Sequence, residues 1–137
     1  MSELNQRNHV LVSGSNEYRD VLYLMTKSFR IQNNYTLYQS VQYAKKHDCK
    51  LRVLILEPYE TNQRNLDFFH KFLEDLKTKL NQFSDDVKYI SRKEDITKHI
   101  NHVHTVFMDK AYLKHDLEIM KSIKKYAYET DTIVIEV

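Results

Sequence analysis

The chain has 137 residues, of which 42% are hydrophobic and 29% are charged, and its formal net charge is +2 at pH 7. This composition is that of one globular domain and excludes a disordered tail protein. The small net charge gives no indication of direct nucleic-acid binding, because domains that bind nucleic acids usually carry a strong basic excess.

Glycine, proline and cysteine each occur once, as Gly14, Pro58 and Cys49. A single glycine excludes the P-loop and the dinucleotide fingerprint, because both need several glycines to bring backbone amides against a phosphate. A single cysteine excludes an internal disulfide and the zinc sites built from cysteine pairs, and it favours a reducing, cytoplasmic location. Residues 1–6 are polar, unlike a signal peptide, and no apolar run is long enough to span a bilayer, so no membrane association is expected.

The first half of the chain alternates apolar runs with helical patterns. Residues 8–13 are a candidate for a short edge strand, and residues 21–25 form a continuous apolar run typical of a strand buried in a parallel sheet. Asn33 or Asn34 is expected to cap a helix whose buried face carries Leu37, Val41 and Ala44. Residues 51–56 predict a second buried strand, which Pro58 ends.

The second half repeats this alternation. Apolar side chains recur every three or four residues over 66–83, which predicts an amphipathic helix. Residues 87–90 predict a third strand, 94–101 a brief helix, and 104–108 a fourth strand. Residues 113–128 predict another amphipathic helix and residues 132–137 a fifth strand.

Five strands separated by four helices indicate βαβ units joined by right-handed crossovers. We therefore predict a single domain over residues 1–137 with an α/β fold, a three-layer, doubly wound, parallel five-stranded sheet that is Rossmann-like with strand order 3-2-1-4-5. Such sheets bind ligands outside the carboxyl ends of their strands, where the strand order reverses. This rule points to the loop over residues 26–35.

No catalytic constellation is evident. His99, His102 and His104 are clustered, but they lie where a helix leads into a strand, so we expect them to diverge and predict no metal site. Cys49 lacks an activating base in the sequence and is interpreted as a half-buried hydrophobe. The remaining polar residues lie where loops and helix ends are predicted, and we interpret them as structural and not as catalytic residues. They are Ser13 and Ser15, Asp85 and Asp86, and Glu94 and Asp95.

Three tyrosines, Tyr35, Tyr38 and Tyr43, lie on or beside one predicted helix. They could stack a flat ligand, although tyrosines in this position more often pack a sheet and extend their hydroxyls to water. Neither interpretation makes the chain an enzyme by itself.

The stretch 21–37 resembles the first strand and loop of DNA photolyases, closest to the class II branch, in which a strand is followed by Arg-x-x-Asp-Asn-x-Ala-Leu. Arg30, Asn34 and Leu37 match this pattern, whereas Asn33 replaces the aspartate and Thr36 the alanine. Residues 51–58, 68–80, 106–109 and 133–137 resemble later elements of the same amino-terminal domain in the same order.

The resemblance implies a stand-alone or truncated amino-terminal photolyase domain, related to light-dependent DNA repair but not competent for repair alone, since the helical domain that binds FAD is absent. It implies an antenna chromophore, a folate or a deazaflavin, with Arg30, Asn33 and Asn34 as candidate cofactor-binding residues. The implied partner is a separate flavin-domain subunit, or a second copy of the chain in a homodimer.

Two alternatives stay open. The first is a small nucleotide- or metabolite-binding module of the stress-protein type, which shares this topology but normally uses glycines that this chain lacks. The second is an interaction domain that dimerises through an edge strand or a helix.

Overall fold

The computed structural model describes residues 9–14, 17–27, 29–58, 62–91 and 96–137. Over these ranges the strands are β1 (His9–Val12), β2 (Asp20–Met25), β3 (Lys50–Leu56), β4 (Asp86–Ile90), β5 (Val103–Met108) and β6 (Ile133–Glu136). The α-helices are α1 (Tyr35–Lys46), α2 (Gln63–Leu80) and α3 (Lys114–Thr130), and a 3₁₀ helix (Ile96–His99) lies between β4 and β5.

The strands form one mixed sheet of order β1-β6-β5-β2-β3-β4. The prediction of five parallel strands is wrong on two points, because the described sheet has six strands and β1 runs antiparallel to β6. The sixth strand is β1, and it falls in the segment 8–13 that was a candidate for an edge strand. It pairs with β6 at the edge of the sheet, where no crossover connection requires the two strands to be parallel. The five parallel strands occur in the predicted order.

Two apolar cores cover the two faces of the sheet. The chain winds from β2 through α1, β3 and α2 to β4, which places both helices on one face, where Leu37, Phe69 and Leu80 pack on alternate strand residues such as Tyr23. It then crosses back to β5, so the 3₁₀ helix and α3 cover the other face, where Ile123 packs with Leu22, Leu24 and Val106. No helix in the described ranges is long and apolar enough to cross a membrane.

The predicted elements shift at their ends for identifiable reasons. Helix α2 begins at Gln63 because the Asn62 side chain accepts a hydrogen bond of 2.9 Å from the amide of Arg64 and caps the helix. The predicted helix over 94–101 is a single 3₁₀ turn over its described part, and residues 94 and 95 lie outside the described residues. The guanidinium of Arg52 donates to the carbonyls of His99 and Asn101, at 2.9 and 3.0 Å, which ties this turn to β3.

Gly14 allows the backbone after β1 to approach the backbone of Asp131 closely. A Cβ atom at this position would lie 2.0 Å from the carbonyl oxygen of Asp131, the residue that ends α3 with a left-handed φ of 54°. Only a residue without a side chain therefore fits between the end of β1 and the start of β6.

Candidate functional site

Strands β2 and β5 are parallel neighbours, and the chain leaves their carboxyl ends in opposite directions. From β2 it leads to α1 on one face of the sheet, and from β5 it leads to α3 on the other face. This divergence is the topological switch point at which ligands bind in open α/β sheets. Residues 26, 27 and 29–35, in the loop expected to mark this point, follow β2 directly. We call the surface formed by Lys27, Asp109, Lys110 and Tyr112 the switch-point surface.

Asn34 and Tyr23 form a buried polar contact beneath this surface. The Asn34 side chain caps α1 by accepting a hydrogen bond of 2.9 Å from the amide of Leu37. Its amide nitrogen donates to the hydroxyl of Tyr23 at 2.9 Å and to the carbonyl of Arg30 at 3.0 Å. Burial raises the pKa of Tyr23 far above its ordinary value, with the nearby Asp109 charge acting in the same direction. The phenol therefore stays neutral and acts as a fixed hydrogen-bonding group.

Asp109 follows the last residue of β5 and is half-buried. One of its carboxylate oxygens, Oδ1, accepts a hydrogen bond from the hydroxyl of Thr36 in the first turn of α1. The other oxygen, Oδ2, is buried and has no hydrogen-bond partner among the described residues. Burial raises the pKa of Asp109, although the hydrogen bond from Thr36 and the charges of Lys27 and Arg30 oppose that rise. Asp109 thus offers an unused acceptor to any donor placed beside it.

Two lysines converge on one exposed aromatic ring at the switch-point surface. The ammonium of Lys27 lies 5.0 Å from the centre of the Tyr112 ring, and that of Lys110 lies 5.6 Å from it. Lys27 also donates to the carbonyl of Lys110 at 2.5 Å, which holds it in this position. Tyr112 is 69% exposed, and helix α3 begins two residues after it at Lys114, with an N-cap residue, Leu113, whose side chain makes no capping hydrogen bond. The start of a helix without a side-chain cap, two cations and an exposed aromatic ring therefore lie together.

The three residues predicted to bind a cofactor surround the start of α1. The Arg30 guanidinium donates to the carbonyl of Gln32 at 3.0 Å and is exposed, so it closes its own loop. Asn33 is exposed and adopts a left-handed φ of 57°. Asn34 is the buried cap described above. The structure brings the three together within one turn, and their role toward a cofactor stays a prediction.

A second concave feature, which we call the α1 groove, runs along α1 and has a volume of 340 Å³. Val41, Tyr38 and Phe83 line it, and the last two are substantially exposed. Of the three tyrosines considered for ligand stacking, Tyr43 packs edge-on against Phe107 in the core. Of these three tyrosines, Tyr38 is the one that lines the groove.

The other polar candidates are dispersed. The side chain of His102 stacks edge-on against Tyr18, whereas the ring of His104 contacts the hydroxyl of Thr105 at 2.7 Å. Burial lowers the pKa of His104 and raises that of the Cys49 thiol, which is the opposite of an activated nucleophile. No group of three or more His, Cys, Asp or Glu side chains is placed to hold a metal ion in the part of the chain that the structure describes. Ser15, Glu94 and Asp95 lie outside the described residues.

Sequence reasoning did not select Lys27, Lys110 or Tyr112 as site residues, and it noted Asp109 only as the end of a strand. A usable signal was present, because Lys27 and Lys110 each stand two residues after a buried apolar run. Polar residues just past the carboxyl ends of two adjacent parallel strands share one surface.

Comparisons with known proteins give a fold likeness and no family. No protein-family model and no curated protein matches the sequence. A solved structure that matches is a universal stress protein from Archaeoglobus fulgidus, with 13% sequence identity and a TM-score of 0.48. The match covers 86% of this chain and 43% of that protein, so the chain spans less than half of its length.

The interpretation as an amino-terminal photolyase domain is wrong, and with it the associated DNA-repair and antenna-chromophore functions. The matching structure is a universal stress protein, and no family model or curated protein supports a photolyase. The matched motif has a local explanation: Asn34 caps α1, Leu37 packs in the core, and Arg30 closes the preceding loop. Any α/β domain with this loop would benefit from these residues.

Proposed function

We propose that the chain is a binding module for a small phosphorylated metabolite, with a nucleotide as the first class to test, and that the ligand occupies the switch-point surface. The carrying observation is the convergence of Lys27 and Lys110 on the exposed ring of Tyr112, directly before the uncapped start of α3. Both ammonium groups lie within 5.6 Å of the centre of one ring, and an anion bound beside them would offset the repulsion between their charges.

The scarcity of glycine determines how a phosphate would be held. Because Gly14 is the only glycine and is used elsewhere, no glycine-rich loop can wrap the phosphate in backbone amides. Lysine side chains would supply the charge instead, beside a helix start that has no side-chain cap. Asp116 places one negative charge in that turn, so both lysines are needed to keep the surface attractive to an anion.

The neighbouring groups suit the remainder of a nucleotide. The exposed ring of Tyr112 provides a stacking surface for a base, and base–aromatic stacking contributes about 1–3 kcal/mol. Ligands of this size usually combine a few fixed polar groups with one apolar or aromatic contact.

Calorimetric titration with ATP, ADP and AMP tests the proposal. Tyr112→Ala and Lys110→Ala are each expected to weaken binding roughly tenfold to hundredfold, the range that loss of stacking or of one charge-assisted hydrogen bond corresponds to. Tyr128→Ala and Lys121→Ala are matched controls, because both residues are exposed on α3 away from its start. Equal effects in the variants and the controls, or no saturable binding, would refute the proposed site.

Binding in the α1 groove is distinguished by a separate variant. Val41→Arg would fill the groove with a charged side chain and leave the switch-point surface unchanged. If Val41→Arg abolishes nucleotide binding while Lys110→Ala does not, the ligand lies in the groove.

Self-association is the second candidate. β1 is an edge strand of the sheet, and Val10 on it is 47% exposed, which favours pairing with another strand. Sedimentation equilibrium of the protein and of Val10→Lys tests this, since a charge on the edge should shift a dimer toward monomer.

We also propose a cytoplasmic location, since the single cysteine of the chain, Cys49, is a free thiol.

A further inference from the structure

The α1 groove lies on the face of the sheet that α1 and α2 cover. Helix α1 supplies one side of it, and the turn after α2 supplies the other with Gln82 and Phe83. Its apolar lining includes the buried Leu37 together with Ile31 and Val41, which are half-buried and pack against the core. Its volume of 340 Å³ is at the lower end of the range for ligand sites, about 300–1,000 Å³, so the groove suits a small molecule.

Two aromatic side chains of the groove leave much of their surface exposed. Tyr38 on α1 is 58% exposed, and Phe83 is 40% exposed. The backbone that carries Phe83 is fixed on both sides, because its amide donates to the carbonyl of the buried Leu80 at 2.9 Å. The next residue, Ser84, is also buried, and its hydroxyl donates to the carbonyl of Leu51 at 2.5 Å. The ring of Phe83 is thus held partly in water between two buried anchors, where a flat ligand would cover it.

The polar groups of the groove favour an anion. Among the residues that line it, Lys45 carries the one full charge, and none has a carboxylate. Lys45 is exposed in the last turn of α1, and its side chain makes no ion pair or hydrogen bond with the described residues. The side-chain amides of Gln42 and Gln82 are also exposed and offer N–H donors. A carboxylate beside Lys45 would therefore gain a charge-assisted contact.

We propose that the α1 groove binds a small aromatic carboxylate, whose ring lies against Tyr38 and Phe83 and whose carboxylate contacts the ammonium of Lys45. The two exposed rings favour a flat apolar body, and the size of the groove limits that body to about one or two fused rings. The site shares no residue with the switch-point surface, so this proposal does not depend on nucleotide binding.

Indole-3-acetate is the probe that tests the proposal. The protein contains no tryptophan, so the indole can be excited selectively at the long-wavelength edge of its absorption, where tyrosine absorbs little. We expect saturable binding of one molecule per chain in a fluorescence titration. Indole-3-ethanol, which has the ring but no carboxylate, should bind about three- to fivefold more weakly, as the loss of an exposed ion pair predicts. Added salt should weaken binding of the acid toward that of the alcohol.

Matched variants separate the charge from the aromatic contact. Lys45→Ala should weaken indole-3-acetate about three- to fivefold and leave indole-3-ethanol unchanged. Lys46→Ala is its control, because Lys46 is exposed in the same helical turn but does not line the groove. Phe83→Ala should weaken both probes about three- to tenfold through the loss of one aromatic contact. Phe68→Ala is its control, because Phe68 is 71% exposed on α2 and does not line the groove.

Four outcomes of these titrations overturn the proposal. They are the absence of saturable indole-3-acetate binding, equal effects of Lys45→Ala and Lys46→Ala, equal effects of Phe83→Ala and Phe68→Ala, and displacement of the probe by ATP, which would place the nucleotide in this groove. A dimer in sedimentation equilibrium that Val41→Arg converts to a monomer would show a second copy covering the groove and would also overturn it. Circular dichroism establishes that each variant is folded, and Tyr38→Ala replaces Phe83→Ala if the latter is not.

Discussion

Replacing Asn34 with alanine removes three different contributions from one position. The side chain caps α1 through the amide of Leu37, it is the hydrogen-bond partner of the buried Tyr23 hydroxyl, and it donates to the carbonyl of Arg30. Loss of an N-cap costs about 1 kcal/mol, a buried hydroxyl left without a partner costs about 1–3 kcal/mol, and an ordinary hydrogen bond contributes about 1 kcal/mol. We therefore expect Asn34→Ala to lower the free energy of unfolding by about 3–5 kcal/mol.

A double-mutant cycle separates the contribution of Tyr23 from the other two. In a Tyr23→Phe background no hydroxyl can be orphaned, so Asn34→Ala should cost only the cap and the hydrogen bond to the Arg30 carbonyl, about 2 kcal/mol. Asn62→Ala is the matched control, because Asn62 caps α2 in the same way while being exposed at its own helix end. It should cost about 1 kcal/mol in either background.

The free energies are measured by urea unfolding followed by circular dichroism. Costs of Asn34→Ala and Tyr23→Phe that add to within about 0.5 kcal/mol would show that the two residues do not interact. The assignment of Asn34 as both the cap of α1 and the hydrogen-bond partner of the Tyr23 hydroxyl would then be incorrect.

Two further predictions concern single positions. Asp109→Asn should stabilise the protein at neutral pH, because burial raises the pKa of Asp109 and its charged form is disfavoured in the folded state. The stabilisation by Asp109→Asn should shrink as the pH falls from the raised pKa of the folded state toward about 3.9, where the aspartate of the unfolded state also becomes protonated. Urea unfolding of both proteins across that pH range measures the difference. A stabilisation that grows at low pH would contradict the prediction. Gly14→Ala should destabilise the protein by about 1–3 kcal/mol, because the new Cβ would lie 2.0 Å from the carbonyl oxygen of Asp131. Thermal unfolding tests this second change, with Ser13→Ala as the neighbouring control, and equal midpoints for the two variants would argue against the close approach.

The parallel part of the fold could be predicted from the sequence because its central strands, β2, β3 and β5, are almost entirely buried. Their nearly continuous apolar runs indicate strands covered on both faces, and the alternation of these runs with helical patterns indicates the order of the strands. Strand β1 was harder to predict, because its four residues carry no periodicity long enough to give its direction. Direction there depends on pairing with β6, more than a hundred residues later in the chain.

The site was predictable only in its location. The switch-point rule identified the loop after β2, but the residues that contribute charge and an aromatic face also come from the segment after β5. Sequence distance hides this convergence, since Lys27 and Lys110 meet only when β2 and β5 pair. The resemblance to photolyases instead drew attention to Arg30, Asn33 and Asn34, of which Asn34 forms the start of α1 and Arg30 its preceding loop.

The same scarcity of glycine explains where chemistry can occur in this chain. Backbone amides cannot form a phosphate-binding loop here, because the only glycine is committed to the contact with Asp131. Side chains must therefore carry most of the polar function, and they are positioned best directly after buried strands. Lys27, Glu57, Asp109 and Lys110 satisfy this condition, because they lie one or two residues beyond β2, β3 and β5. The anion site is proposed after β2 and β5 because lysines follow these strands, whereas a carboxylate, 3.6 Å from the imidazole of His70, follows β3.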